Sequence, residues 1–228
     1  MFIELDSHTP NGLAGRIRKD NECKIIAAAE AEFARHGYKG ASMQSIADHA
    51  GLPKANIHYY FGSKLRLYVA VLAHILDMWD KLLVSLDAAG DPAVELEAYI
   101  RAKMRLAQAH PQASRIFGIE IMSGAPYLQE YFRTGYLEWF KGRTAVFEAW
   151  MAQGKMDRLD PAHVIFLLWS STQHYADFAC QISAALGKPG QPLQAADYER
   201  ATQTLLHVIL NGCGVQPFHP YQGNESPR

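Results

Sequence analysis

Residues 41–64, Ala-Ser-Met-Gln-Ser-Ile-Ala-Asp-His-Ala-Gly-Leu-Pro-Lys-Ala-Asn-Ile-His-Tyr-Tyr-Phe-Gly-Ser-Lys, constrain the fold more than any other stretch, because they read as two short helices around a tight turn. Ser42 is placed to cap the first helix, in which Met43, Ile46, Ala47 and Ala50 recur at spacings of three and four and make one buried stripe. Gly51 ends that helix, since glycine adopts the left-handed conformation at least cost. Leu52 plugs the elbow, Pro53 restarts a helix where a missing N–H does no harm, and Ile57 and Phe61 return to the core. Lys54, Asn56, His58 and Tyr60 are left facing out. Gly62 breaks the chain again, and Ser63 can cap a helix opened by Lys64.

Two short helices of this kind, with polar and aromatic groups gathered on the second, suit insertion of a helix into a DNA groove; the competing reading is a plain helical hairpin. A net charge of −1 over 228 residues argues at first against nucleic acid, where phosphate neutralisation drives binding. The distribution reverses that argument. Residues 16–66 carry nine basic and five acidic side chains, a local excess of +4, so the remainder is net acidic.

Tyr59-Tyr60-Phe61-Gly62-Ser63-Lys64, preceded by Gly37-Tyr38 and by Ser42-x-x-x-Ile46-Ala47, resembles the DNA-binding domain of TetR-type transcriptional regulators. The match runs from about Ala27 to Val71. His58 stands where the family usually has Tyr, and Leu65 where it often has Glu, an acidic group that would favour the next helix's N-terminus. Further on, Tyr99-Ile-Arg-Ala-Lys-Met-Arg, the segment from His110 to Pro126, and Trp169-Ser-Ser-Thr-Gln-His-Tyr-Ala-Asp-Phe178 are similar to the ligand domain of the family's pyrimidine-utilisation regulators. The resemblance implies an all-α homodimer that binds double-stranded operator DNA and responds to a small-molecule effector, uracil or thymine, as a repressor. It offers Ser42, Lys54, His58, Tyr60 and Lys64 as phosphate contacts, and Gln44 and Asn56 as readers of base edges, because a carboxamide can bind adenine bidentately. A TetR-type regulator of another small ligand, a helical enzyme and a partner-binding scaffold are the alternatives.

The chain is 49% hydrophobic, enough for one small three-helix domain and a larger bundle. No stretch approaches the roughly 18 apolar residues of a membrane span, so no membrane partner is expected. The N-terminal Met-Phe-Ile-Glu-Leu-Asp is acidic where a secretory signal is basic, and Cys23, Cys180 and Cys213 lie far apart without a CxxC pair; both point to a cytoplasmic location with reduced thiols. Residues 1–15 read as a mobile arm, 16–66 as the helix-turn-helix domain with its motif at 41–60, 67–212 as a ligand-binding and dimerisation domain, and 213–228 as an unstructured tail. The first helix is expected from about Lys19 to His36 and a long one from Ser63 to about Ala88. Later helices fit 93–109, 112–122, 127–153, 161–186 and 193–210, with Gly/Pro-bearing separators.

No stretch makes a catalytic or metal site. Ser171, His174 and Asp177 follow one another at i, i+3 and i+6 on one helix, whose geometry does not let the histidine bridge the other two. The ten histidines include no HExxH, and no Gly-rich strand-to-helix turn offers a phosphate cradle, so neither enzyme activity nor a cofactor is expected. Instead, Gln173, His174, Tyr175 and Asp177 crowd polar groups beside Phe166, Leu167 and Leu168. Buried polar groups need partners. Either they satisfy each other or a dimer mate, or they hold a small polar ligand. Trp169, Gln173 and Asp177 share one stripe; a carboxamide complements the amide edge of a uracil ring, and an indole offers a stacking face. Trp79, Phe117 and Glu120 are candidates for further walls, and Arg115 can pair with Glu120 or Asp177 or touch ligand. Leu205, Leu206, Ile209 and Leu210 suit either a dimer interface between the last two helices or ordinary core.

Overall fold

The structure, a computed structural model, describes residues 13–215, and the described residues are helical with no strand. They divide into two compact units, the first formed from residues 13–81 with 109–139 and the second from 82–108 with 140–215.

In the first unit, α1 (Leu13–Gly40) buries Ile25, Ala29 and Phe33 at helical spacing and breaks at Gly37, whose φ of 64° is left-handed. It starts earlier than the sequence suggests, at Leu13, with Arg18 and Glu22 paired one turn apart at 3.0 Å. The expected arm at residues 1–15 therefore ends in helix, and residues 1–12 lie outside the described residues. α2 (Met43–Ala50) and α3 (Lys54–Phe61) follow, joined through Gly51, Leu52 and Pro53. Ser42 Oγ accepts the Ser45 N–H at 3.0 Å, and Gly51 has φ 64°, ψ 32°, so both ends of α2 are closed as the residue types dictate. α4 (Lys64–Val84) opens with Ser63 Oγ accepting the Arg66 N–H at 3.2 Å and buries Leu67, Val71, Leu72 and Ile75. Packed with these helices is α6 (Pro111–Met122): Ala113 and Ile116, with Ala125 and Leu128 beyond it, belong to the same core as Ile25, Phe33, Ile46 and Ile57. The compact first unit thus extends beyond residues 16–66, with α6 contributing apolar side chains to its core.

α5 (Pro92–Ala109) is the long helix between α4 and α6. The single helix expected over 127–153 is two, α7 (Gln129–Arg133) and α8 (Tyr136–Ala152). The break falls at Thr134, which is extended, and Gly135, whose φ of 81° no helix accommodates. The helix expected over 161–186 also divides, into α9 (Pro161–Asp177) and α10 (Ala179–Ala185), at Phe178, whose ring stacks on His174 one turn back at 4.7 Å. α11 (Ala195–Gly212) closes the chain; its start is fixed by Asp197, which accepts the Gln194 N–H while Gln194 caps in return.

The tail expected from residue 213 begins as packed chain. Cys213 and Val215 are buried, and the Cys213 carbonyl accepts the Asp157 N–H at 2.9 Å. Burial, with Asp157 adding to it, pushes the Cys213 thiol up to about 11, which keeps it protonated. Residues 216–228 lie outside the described residues. Among the described residues, no helix is long and apolar enough to cross a membrane.

Candidate nucleic-acid interface and effector helix

The helix pair is held by apolar contacts and by one contact between a carboxylate and an imidazole. Ile46, Ala47, Ile57 and Phe61 are buried, and Glu32 of α1, only 4% exposed, faces His49 Nδ1 at the end of α2 at 3.1 Å. Such anchoring leaves α3 fixed by its neighbours rather than by its own length, since eight residues cannot sustain a helix alone.

The sequence-derived contact residues occupy this surface with different freedom. Lys54 opens α3 and is exposed, and Gln44 is exposed with its Nε2 donating to Asp48 Oδ1 at 2.9 Å. Ser42 serves the α2 cap and also meets Ser45 Oγ at 2.9 Å. Asn56 is half-buried. His58 is exposed with Nδ1 at 3.0 Å from the Gly62 carbonyl; because a carbonyl only accepts, Nδ1 carries the hydrogen and Nε2 is the atom that faces outward chemistry. Tyr60 is half-buried, its hydroxyl accepting from Asn21 Nδ2 at 3.1 Å and keeping its own proton to donate. Lys64 is the most committed of the set: its Nζ donates to the carbonyls of Ala41 at 3.0 Å and Lys39 at 3.3 Å, and sits 4.9 Å from the centre of the Tyr38 ring. That geometry supports a structural role in closing the α1–α2 turn.

Tyr59 was not among the residues the sequence reading turned outward, and it is 77% exposed with its ring edge-on to Tyr60 at 5.2 Å. The signal was the helical phase. With Ile57 and Phe61 buried, about 100° per residue puts position 59 opposite the buried stripe and leaves 56 and 60 on its flanks.

In the second unit, α9 carries the polar stripe. Gln173 Nε2 donates to Asp177 Oδ2 at 3.1 Å, and Trp169, one turn before Gln173, packs with Phe140 and Phe166, each 5.9 Å away between ring centres. Trp169, Gln173 and Asp177 are half-buried, while His174 is exposed against Phe178. Ser171 Oγ donates back to the Leu168 carbonyl of its own helix. The other expected walls belong to the first unit. There Trp79 and Phe117 meet edge to face at 4.9 Å, and Glu120 is buried, accepting from the Tyr68 hydroxyl at 3.2 Å and the Tyr127 N–H at 2.6 Å. Each Glu120 oxygen thus accepts one hydrogen bond from the protein. Arg115 is exposed on α6. Leu206, Ile209 and Leu210 are buried within the protomer, which fits the core reading, and Leu205 is half-buried, whereas Phe166, Leu167 and Val208 remain exposed.

Two short helices on a buried base, the second presenting Lys54, His58 and Tyr59 to solvent, define a helix-turn-helix protein. Residues 25–71 match the family of bacterial regulatory proteins, tetR family, and residues 72–216 match the C-terminal region of YcdC-like protein. The HTH-type transcriptional regulator RutR of Escherichia coli O157:H7 is 40% identical over 188 residues, 82% of this chain and 88% of that protein. The HTH-type transcriptional repressor SCO4008 of Streptomyces coelicolor is 33% identical over 105 residues, 46% of this chain and 51% of that protein. Among solved structures, the transcriptional regulator SCO4942 of Streptomyces coelicolor aligns with a TM-score of 0.64 at 25% identity, covering 82% of this chain and 97% of that one. The ketosteroid transcriptional regulator KstR2 of Mycobacterium tuberculosis, at TM-score 0.59 and 21% identity over 84% of this chain and 94% of that one, shares the fold. The chain belongs to the TetR family. Its family and relatives are transcriptional regulators, not enzymes.

Proposed function

We propose that the protein is a homodimeric repressor whose affinity for a pseudo-palindromic operator is set by a pyrimidine, uracil or thymine, bound at the polar stripe of α9. The observation that carries the ligand reading is the Gln173–Asp177 hydrogen bond. Asp177 holds one N–H of the Gln173 carboxamide, which orients the group and leaves a carbonyl oxygen and a second N–H to meet the C=O and N–H groups of a pyrimidine. Trp169, one turn away in a cluster of three aromatic rings, offers the face for stacking.

A symmetric dimer suits the rest. Two reading heads on a two-fold axis match successive major grooves about 34–36 Å apart, and the exposed Phe166, Leu167 and Val208 supply apolar surface for a mate. Ligand then acts through its difference in affinity for the DNA-competent and DNA-incompetent states, and through nothing else. Calorimetry with uracil and with thymine tests the ligand: one class of site per protomer is expected. Gln173→Leu is expected to weaken binding by about 1–3 kcal/mol, because the ligand's polar edge is then buried unpaired. No heat and no thermal shift with either base at millimolar concentration would remove the pyrimidine and leave the family assignment standing.

A further inference from the structure

Within the first unit lies an aromatic cluster that links the helix pair to chain outside the DNA-binding family region. Glu120, on α6 and 3% exposed, is matched by the C-terminal family rather than by the DNA-binding one. Its carboxylate has two donors, the Tyr68 hydroxyl and the Tyr127 N–H, and no cation within ion-pair distance among the described residues. A carboxylate buried on such terms stabilises a fold less than an apolar side chain of the same volume would; what it adds is position.

What it positions can be followed atom by atom within the first unit. The turn after α6 is closed by Glu120 at both levels: its carbonyl accepts the Ala125 N–H at 2.9 Å and its carboxylate accepts the Tyr127 N–H. Ala125 lies at φ 54°, a conformation a residue with a Cβ holds only when its surroundings impose it. The turn delivers the Tyr127 ring to Tyr38, 4.7 Å away between centres, and Tyr68 meets both, at 5.0 Å from Tyr38 and 5.3 Å from Tyr127. Phe33 closes the cluster against Tyr68 at 4.9 Å. Burial, and then the adjacent Glu120 charge, raise the Tyr68 hydroxyl well above its ordinary range, so it stays a donor. Over the Tyr38 ring lies the Lys64 ammonium, which ties down the carbonyls of Lys39 and Ala41, immediately before the Ser42 cap of α2.

We infer that Glu120 is a positioning residue for DNA recognition: by fixing Tyr68 and Tyr127 around Tyr38 it sets the Tyr38–Lys64 latch that holds the start of α2, and with it the reading helix α3. Geometry of this kind affects sequence-specific contacts, which need α3 in one orientation, far more than the phosphate attraction that serves any sequence. Loss of the Tyr68 hydroxyl removes one of the two donors without changing the ring packing, so Tyr68→Phe is the mild variant and Glu120→Gln, which turns an N–H toward a donor, the severe one.

The test uses the full chain and a DNA fragment enriched from a random pool by the parent protein, which first establishes that specific binding exists. Tyr68→Phe and Glu120→Gln are expected to bind that fragment about tenfold or more weakly while binding unrelated DNA as before, with Tyr68→Phe keeping the parent's cooperative thermal transition. In the double variant Glu120→Gln/Lys64→Met, the losses in fragment affinity are expected to be less than multiplicative, since both act on one latch. Unchanged fragment affinity in a folded Tyr68→Phe protein overturns the assignment, as do equal losses on the fragment and on unrelated DNA. If Glu120→Gln fails to fold, Tyr68→Phe decides alone.

Discussion

In α2 and α3 the apolar residues Ile46, Ala47, Ile57 and Phe61 are buried, and the outward polar groups lean on their own scaffold: Gln44 on Asp48, His58 on Gly62, Tyr60 on Asn21. On α9, Val164, Ile165, Leu168 and Ala176 are buried as well, but the other side chains are arranged differently. Phe166 and Leu167 stay 45% and 51% exposed, while Gln173 and Asp177 are half-buried and bonded to each other. A short helix that must meet DNA in one orientation is fixed by its core and its caps. The proposed ligand helix keeps some apolar surface outside and a side-chain hydrogen bond half-buried. The contrast predicts that changes in the first region act through folding and specificity, and changes in the second through ligand response.

The largest effect is expected at Ile57, fully buried at the centre of α3. Ile57→Ala should cost about 2–5 kcal/mol in denaturant unfolding through lost burial and the cavity left behind, and operator affinity should fall with it. Trp169→Ala, on the half-buried stripe of α9, should instead abolish uracil or thymine binding with a smaller loss of stability; equal destabilisation by the two would erase the contrast. Next in size is Asn56→Ala. Its expected effect is a loss of about 1–3 kcal/mol in discrimination between operator and random DNA, read as the ratio of the two affinities at fixed salt. Ser42→Ala should cost about 0.5–2 kcal/mol, because the Ser45 N–H loses its acceptor and α2 its cap.

The smallest effect on binding, with a pH dependence confined to acid, concerns Asp197 at the start of α11. The Gln194 N–H, followed by Lys188, holds its carboxyl at about 2, below the usual carboxylate range. The folded chain therefore binds this proton more weakly than the unfolded one. The resulting stabilisation is complete above the unfolded value of about pH 4 and is lost as the pH falls toward 2. Asp197→Asn should flatten the pH dependence of the thermal midpoint in that window and leave operator and ligand binding untouched at neutral pH.

How much of this could be read from the sequence follows from how local each signal is. Ser42, Gly51 and Ser63 act on groups within four residues, and the caps formed where their residue types place them. Tyr59 was legible too, from the phase set by Ile57 and Phe61, but alternating positions were turned outward instead of those opposite the buried stripe. The breaks at Thr134–Gly135 and at Phe178 interrupt otherwise continuous apolar periodicity, and no proline or cluster of turn residues marks the second. Gln194 is a poor cap by type and serves only because Asp197 answers it. Glu120 was furthest from reach. Beside Phe117 in sequence it suggests a ligand wall, and only the fold brings Tyr68, 52 residues away, to its carboxylate.

Operator binding measured with and without pyrimidine tests the central claim most directly. The protein is titrated onto a labelled fragment enriched from a random pool, in the absence of ligand and then at concentrations of uracil and thymine shown by calorimetry to saturate it. The account predicts a specific complex in the absence of ligand and a loss of affinity of about 5–150-fold on saturation, the range of a coupling free energy of about 1–3 kcal/mol. Saturation with either base that leaves the operator affinity unchanged would contradict it.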